Sequence, residues 1–290
     1  MPTDSNNPSW RSMLFVPVTA QRFVDKAHTR GADAIILDLE DAIAPNEKDA
    51  ARAALPAVVR TIAAAGCELC VRINRELELA IPDIVAAVMP EVAALMLPKV
   101  MGPEHVKLLS EVVAAREAAL GMTIGHTRFI ALVETPQALV HMNAIAAADP
   151  RMLALGVGNE DLSTELDAVP GGDTLYPFAM LAVAAARSAG IEPFGTIGPF
   201  ADFADLDAYR AGLRRSRALG YSTTACIHPS QVAIANEEYG ISEEKLDHAR
   251  RLIEVFEEAV AQGQGAVAFE GAMVDLPVAQ RARALLAKAR

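Results

Sequence analysis

Short, continuously apolar runs recur along the chain at residues 13–18, 34–37, 69–73, 93–97, 129–133, 153–157, 191–194 and 223–227. Between them lie longer Ala-rich segments of helical period, at 48–65, 103–119, 135–147, 175–189 and 206–219. Runs of this length without alternation predict strands buried on both faces, and helical crossovers between them predict parallel pairing. Eight such repeats predict an α/β protein of the (β/α)8 TIM-barrel class over residues 1–240, with a doubly wound open sheet as the rival. Past the eighth run the pattern changes. Residues 242–262 read as a long helix with Ser242 as N-cap and Glu243 and Glu244 in its first turn, where acidic groups suit the positive end of the helix dipole. A break at Gly263 and Gly265, a short stretch through Glu270 and a final helix over 277–290 complete a C-terminal helical extension, 241–290. It is expected either to pack on its own barrel or to reach a neighbouring subunit.

Composition narrows the class. The chain has 290 residues, 26 Lys and Arg against 37 Asp and Glu, a net charge of −11, and 52% hydrophobic residues. That apolar fraction supports a sizeable core and excludes a disordered chain. The acidic balance argues against a nucleic-acid partner or binding to an anionic membrane, because phosphate binding needs a cationic field that dominates locally. The longest apolar stretch, 178–186, is less than half the roughly 20 residues that a spanning helix needs. With no basic-then-apolar leader at the N-terminus, a cytoplasmic location is expected. Cys67, Cys70 and Cys226 are too few and too scattered for a disulfide framework. The lone C-x-x-C lacks a second pair, and an offset of three puts strand side chains on opposite faces, so these read as small core residues.

In a (β/α)8 barrel the chemistry sits where strands end, so the polar residues that follow each apolar run are the candidates. They are Asp38, Glu40 and Asp41 after the second run, Arg72 and Asn74 after the third, Lys99 after the fourth, Glu134 after the fifth, Asn159, Glu160 and Asp161 after the sixth, and His228 after the eighth. Glu134 and Asp161 are one β-α unit apart and would stand on adjacent strand tips. Two carboxylates without His or Cys suit a hard cation such as Mg2+ better than zinc. Glu134 would equally serve to cap a helix starting at Thr135-Pro136. Arg72, at the end of an apolar strand, would pair with a substrate anion or form a salt bridge to Asp38 or Glu40. Gly156, Gly158 and Asn159 would bring backbone N–H groups close to a ligand, or simply make the turn. His228 is expected to hydrogen-bond across the barrel mouth rather than to act in catalysis.

Eight collinear motifs then carry a resemblance. Arg11-Ser-Met-Leu-Phe-Val-Pro, Leu37-Asp-Leu-Glu-Asp-Ala, Val71-Arg-Ile-Asn, Met96-Leu-Pro-Lys, Val133-Glu-Thr-Pro, Gly158-Asn-Glu-Asp-Leu, Ile227-His-Pro-Ser-Gln-Val and Gly271-Ala-Met-Val-Asp-Leu-Pro resemble, in order, the citrate lyase beta-subunit-like group of the HpcH/HpaI aldolase superfamily. The resemblance implies a (β/α)8 barrel, assembled as a homotrimer or hexamer, that uses Mg2+ in carbon–carbon bond chemistry next to a coenzyme A thioester. It puts the metal carboxylates on Glu134 and Asp161 and the substrate arginine on Arg72. It also implies an acid/base role for Asp275, donated into a neighbouring subunit's site, and coenzyme A phosphate contacts at Arg22 and Lys26.

The implied reaction divides a 3-hydroxyacyl-CoA such as citryl-, malyl- or citramalyl-CoA into an acyl-CoA and a 2-oxo acid. An acyl-CoA thioesterase on the same scaffold, a class II pyruvate aldolase acting on free hydroxy-oxo acids, and a non-catalytic subunit of a larger complex are the alternatives. Three departures bear on substrate identity: Val18 stands where the family has glycine, Thr223-Thr224 where it has Gly-Lys, and the segment 192–205, with Gly195, Gly198 and Pro199, differs from the better-known lyases.

Overall fold

A computed structural model describes residues 10–170, 173–198 and 203–288. The eight apolar runs all form strands: β1 (Ser12–Pro17), β2 (Ala34–Asp38), β3 (Glu68–Arg72), β4 (Val92–Leu97), β5 (Arg128–Val133), β6 (Met152–Val157), β7 (Glu192–Phe194) and β8 (Thr224–Cys226). All neighbouring strands run parallel, in the order β7-β6-β5-β4-β3-β2-β1-β8. The ring closes through a parallel bridge between Phe194 and Thr223, with the Gly195 N–H donating to the Thr223 carbonyl at 2.9 Å. The open-sheet rival is thereby set aside. Pro193 has no N–H to offer a ladder, which accounts for the shortness of β7 and the thin closure beside it.

The helices are α1 (Gln21–Val24), α2 (Lys48–Ala64), α3 (Leu77–Ala87), α4 (Pro103–Ala119), α5 (Pro136–Leu139), α6 (Met142–Ala146), α7 (Asn159–Glu165), α8 (Tyr176–Ala189), α9 (Leu206–Leu219) and α10 (Pro229–Tyr239). The single helix expected over 135–147 is two short ones, broken at Val140 and His141. Helix α3, which carries Pro82 inside it, is not among the segments that the apolar pattern predicts. Two cores result. Outward strand residues such as Ile35, Leu37, Leu69 and Leu95 pack under the helices, while Met13, Ile36, Cys70, Met96, Ile130 and Phe194 fill the barrel. Trp10 belongs to that interior cluster and donates its indole N–H to Glu68. Cys67, Cys70 and Cys226 are all free thiols, as expected.

Residues 10–239 form one compact unit and residues 240–288 a second. In the second, α11 (Glu243–Ala261) is capped by the Ser242 hydroxyl, which accepts the Lys245 N–H. The short stretch before the final helix, given no structure by the sequence pattern, is an antiparallel hairpin, β9 (Ala266–Phe269) and β10 (Ala272–Asp275), followed by α12 (Leu276–Lys288). Its two-residue turn has positive φ at both Glu270 (48°) and Gly271 (82°), the backbone that matches hairpin twist. Leu252, Phe256, Val274 and Ala279 make this unit's own core.

Candidate active site

Period-two alternation inside the barrel delivers the polar groups to its C-terminal mouth. Inward positions run Ala34, Ile36, Asp38 on β2, Cys70, Arg72 on β3, and Ala154, Gly156 toward Gly158 on β6. On β5 they run Ile130, Leu132 and then Glu134. The same register that buries the apolar members therefore buries Asp38 and Glu134, at 1% and 3% exposure. A cavity of about 830 Å³ opens above them, walled by Phe15, Met96, Leu132 and Phe194 and edged by Arg30 and His228.

Charge is organised around two cations. The Arg72 guanidinium donates to both Asp38 oxygens, at 2.7 and 2.6 Å, lies 3.0 Å from Glu40, and sits over the Phe15 ring. The salt bridge considered from sequence is thus formed, and Arg72 still lines the cavity. Lys99 has φ 47°, and its backbone N–H donates to Glu134 Oε2 at 2.7 Å. Its ammonium reaches Glu40 Oε1 at 3.0 Å, Asp161 Oδ1 at 3.3 Å and Asp41 Oδ1 at 3.7 Å. Burial pushes the Glu134 carboxyl up to about 8, against the Lys99 N–H and with help from the charges of Asp161 and Glu40. Burial likewise pushes Glu40 up to about 7, opposed by Arg72 and Lys99. The carboxyls of Asp38, Glu40, Asp41, Glu134 and Asp161 outnumber the two cations that pair with them, Arg72 and Lys99.

Glu134 does not cap the following helix; the Thr135 hydroxyl does, accepting the Ala138 N–H. Gly158 has a reason other than a free N–H, which is taken by the Val133 carbonyl at 3.1 Å. A Cβ on Gly158 would fall 2.1 Å from Glu134 Oε1, so its absence makes room for the buried carboxyl. Gly156 works in the same way, since a Cβ there would meet the Phe194 carbonyl oxygen at 2.3 Å. Asn159 lines the cavity and donates its amide to the Thr196 carbonyl at 2.9 Å, tying the start of α7 to the loop after β7. Asp161 follows in the first turn of α7, and Lys99 brings it into one group with Glu134.

One expected feature sits differently. The His228 ring bonds locally to Ser230, Nδ1 to Oγ at 2.7 Å, and stacks on Phe203, instead of reaching across the mouth. Arg22 and Lys26 are exposed and outside the cavity lining; from that segment Phe23 and Arg30 line it. Asp275 ends β10 and accepts the Val278 N–H at 3.2 Å, so within its own unit it caps α12. Pro199 lies outside the described residues. The sequence shows Lys99 on the rim but gives it no role, because its left-handed backbone has no local signature in a Pro-Lys pair.

The described carboxylates include no group of three or more Asp, Glu, His or Cys side chains converging on one metal position. The pair Glu134 and Asp161 fits an ion that takes one or two protein carboxylates and fills its shell with water and substrate oxygens, which is the habit of Mg2+.

A closed parallel barrel with buried acids, an arginine and a lysine at its C-terminal mouth defines a barrel enzyme equipped for electrostatic or metal-assisted chemistry on an oxygen-rich substrate. The model of the HpcH/HpaI aldolase/citrate lyase family matches residues 11–229, and the chain belongs to that family. Citrate lyase subunit beta of Leuconostoc mesenteroides subsp. cremoris is 32% identical over 279 residues, 95% of this chain and 92% of that protein. The L-malyl-CoA/beta-methylmalyl-CoA lyase of Cereibacter sphaeroides is 31% identical over 306 aligned positions, 96% and 94% of the two chains. A crystal structure of CitE from Mycobacterium tuberculosis, in complex with magnesium, acetoacetate and coenzyme A, is 30% identical, covers 96% of this chain and 97% of its own, and superposes with a TM-score of 0.76. The chain is thus an enzyme of the lyase class. No helix among the described residues is long and apolar enough to cross a membrane.

Proposed function

We propose that this chain is a Mg2+-dependent carbon–carbon lyase that divides a 3-hydroxyacyl-CoA into an acyl-CoA and a 2-oxo acid, or joins them. Family membership, the lyases among its relatives, and the magnesium and coenzyme A in the M. tuberculosis protein support this reading. The observation that carries it is Glu134, a carboxyl buried to 3% exposure beside Asp161, whose ionised form needs more positive charge than the Lys99 N–H supplies. Mg2+ on Glu134 and Asp161 would supply Lewis acidity toward the substrate hydroxyl and carboxylate.

Arg72, pre-oriented by Asp38, stabilises negative charge as it moves toward the thioester oxygen, a contribution worth about 3 kcal/mol per donor in comparable sites. The apolar wall of Phe15, Leu132 and Phe194 excludes water from the emerging enolate, which favours lysis over hydrolysis. Asp275, delivered from a neighbouring copy, protonates the enolate carbon and in condensation removes the same proton. That assignment implies a homo-oligomer.

Incubation with Mg2+ and citryl-, malyl- and citramalyl-CoA, with 2-oxo acid and free thiol measured separately, tests the reading. Chelator-sensitive oxo acid without thiol is the expected result. Thiol without oxo acid would make the protein a thioesterase, and silence on all three would overturn the thioester substrate.

A further inference from the structure

Lys99 holds acidic groups from three different βα units with its two ends. Its backbone N–H is bonded to Glu134, while its ammonium touches Glu40, Asp41 and Asp161. The residue does this from a left-handed conformation, φ 47°, that disfavours any side chain with a Cβ. Glycine would present the same N–H without that strain, so the N–H to Glu134 does not by itself account for a lysine here. What the side chain adds is one positive charge inside a ring of carboxylates, two of which are the proposed Mg2+ ligands.

We propose that the Lys99 ammonium is the resident counter-cation of the metal site, holding Glu40 and Asp161 in place in the metal-free protein and limiting Mg2+ affinity by competing for Asp161. The inference rests on Glu134 and Asp161 as the Mg2+ ligands. Without a counter-charge, the closely spaced carboxylates would repel one another and the mouth would splay. A divalent ion held by Glu134 and Asp161 would repel the ammonium, which is 3.3 Å from Asp161 Oδ1, and would weaken its hold on that carboxylate. Lys99 thus trades affinity for a preformed site, and the metal binds with exchange of one cation for another.

The test is titration of metal-stripped protein with Mg2+ by calorimetry, together with thermal melting with and without the ion, for wild type, Lys99→Met and Lys99→Gly. Lys99→Gly keeps the N–H and relieves the backbone strain, so it remains informative if Lys99→Met folds poorly. Both variants are expected to bind Mg2+ about tenfold tighter or more, the order set by removing a unit charge at this range. Metal-free Lys99→Met is expected to melt below wild type, with the gap closing at saturating Mg2+. Unchanged or weaker Mg2+ binding in a folded Lys99→Gly protein overturns the proposal. The ligand assignment fails separately, if Glu134→Gln and Asp161→Asn leave wild-type Mg2+ affinity intact.

Discussion

At the scale of single residues, the site depends on one missing methyl group. Gly158 has an ordinary backbone, so its role is space: its absent Cβ would occupy the position of the Glu134 carboxyl, 2.1 Å from Oε1 and 2.4 Å from Cγ. A Gly158→Ala protein should keep its barrel, because the obstructing atoms belong to a side chain able to swing away. Glu134 would then leave its position against the Lys99 N–H. The expected outcome is native circular dichroism with lyase activity down about 100-fold or more, the usual penalty for misplacing a reacting group by an ångström. Wild-type activity in this variant would show that the Glu134 position is not needed. None of this is legible in the string Gly158-Asn-Glu-Asp, where the glycine looks like a turn residue.

At the scale of elements, helix α4 is tied to the segment before β5 and to the start of β6 by a buried ion pair. Glu117, fully buried, accepts two bonds from Arg151 at 2.9 and 2.7 Å and the N–H groups of Gly125 and Thr127 at 2.8 and 2.7 Å. Burial pushes the Glu117 carboxyl up, but Arg151 and the two N–H groups outweigh it and hold the group below its ordinary value. A depressed native pKa contributes stability above the unfolded value of about 4.5 that disappears as pH falls toward the native value. Glu117→Gln should therefore cost about 3 kcal/mol near neutrality, by leaving Arg151 buried and unpaired. Urea melts at pH 7 and at successively lower pH are the check. The gap between variant and wild type should narrow below pH 4.5, and a gap independent of pH would remove the ion pair from the argument. Elements themselves were largely legible: all eight strands and the helices α2, α4, α8, α9 and α11 follow the apolar pattern within a residue or two. The hairpin β9–β10 was not, because its turn is Glu-Gly and the pairing that rewards two positive φ values is not a local property.

At the scale of the whole molecule, the proposed acid, Asp275, belongs to the second unit and not to the barrel strands. If Asp275 serves a neighbouring copy's cavity, neither Asp275→Asn nor Glu134→Gln should be active alone. A refolded or co-expressed mixture of the two should recover activity, approaching about a quarter of wild type when equal amounts mix at random, since half the sites have an intact metal side and half of those an intact donor. Recovery requires an oligomer, which light scattering on wild type checks independently. A mixture as inactive as its components would show that Asp275 acts within its own chain or not at all.

The sequence by itself determined the barrel, the family and the set of residues that gather at its mouth, because strand alternation is a local steric rule. A residue two places beyond a buried inward position points inward too, so Asp38, Arg72 and Glu134 could be read from their strands. Tertiary structure alone decided which of them meet. Arg72 turns to Asp38, Lys99 reaches Glu134 with its backbone and Asp161 with its side chain, and Gly158 yields its space to Glu134. Such pairings depend on register between strands, on closure of the ring and on the left-handed backbone at Lys99. That conformation is unfavourable in the isolated chain and is repaid only by contacts that exist once the barrel is closed.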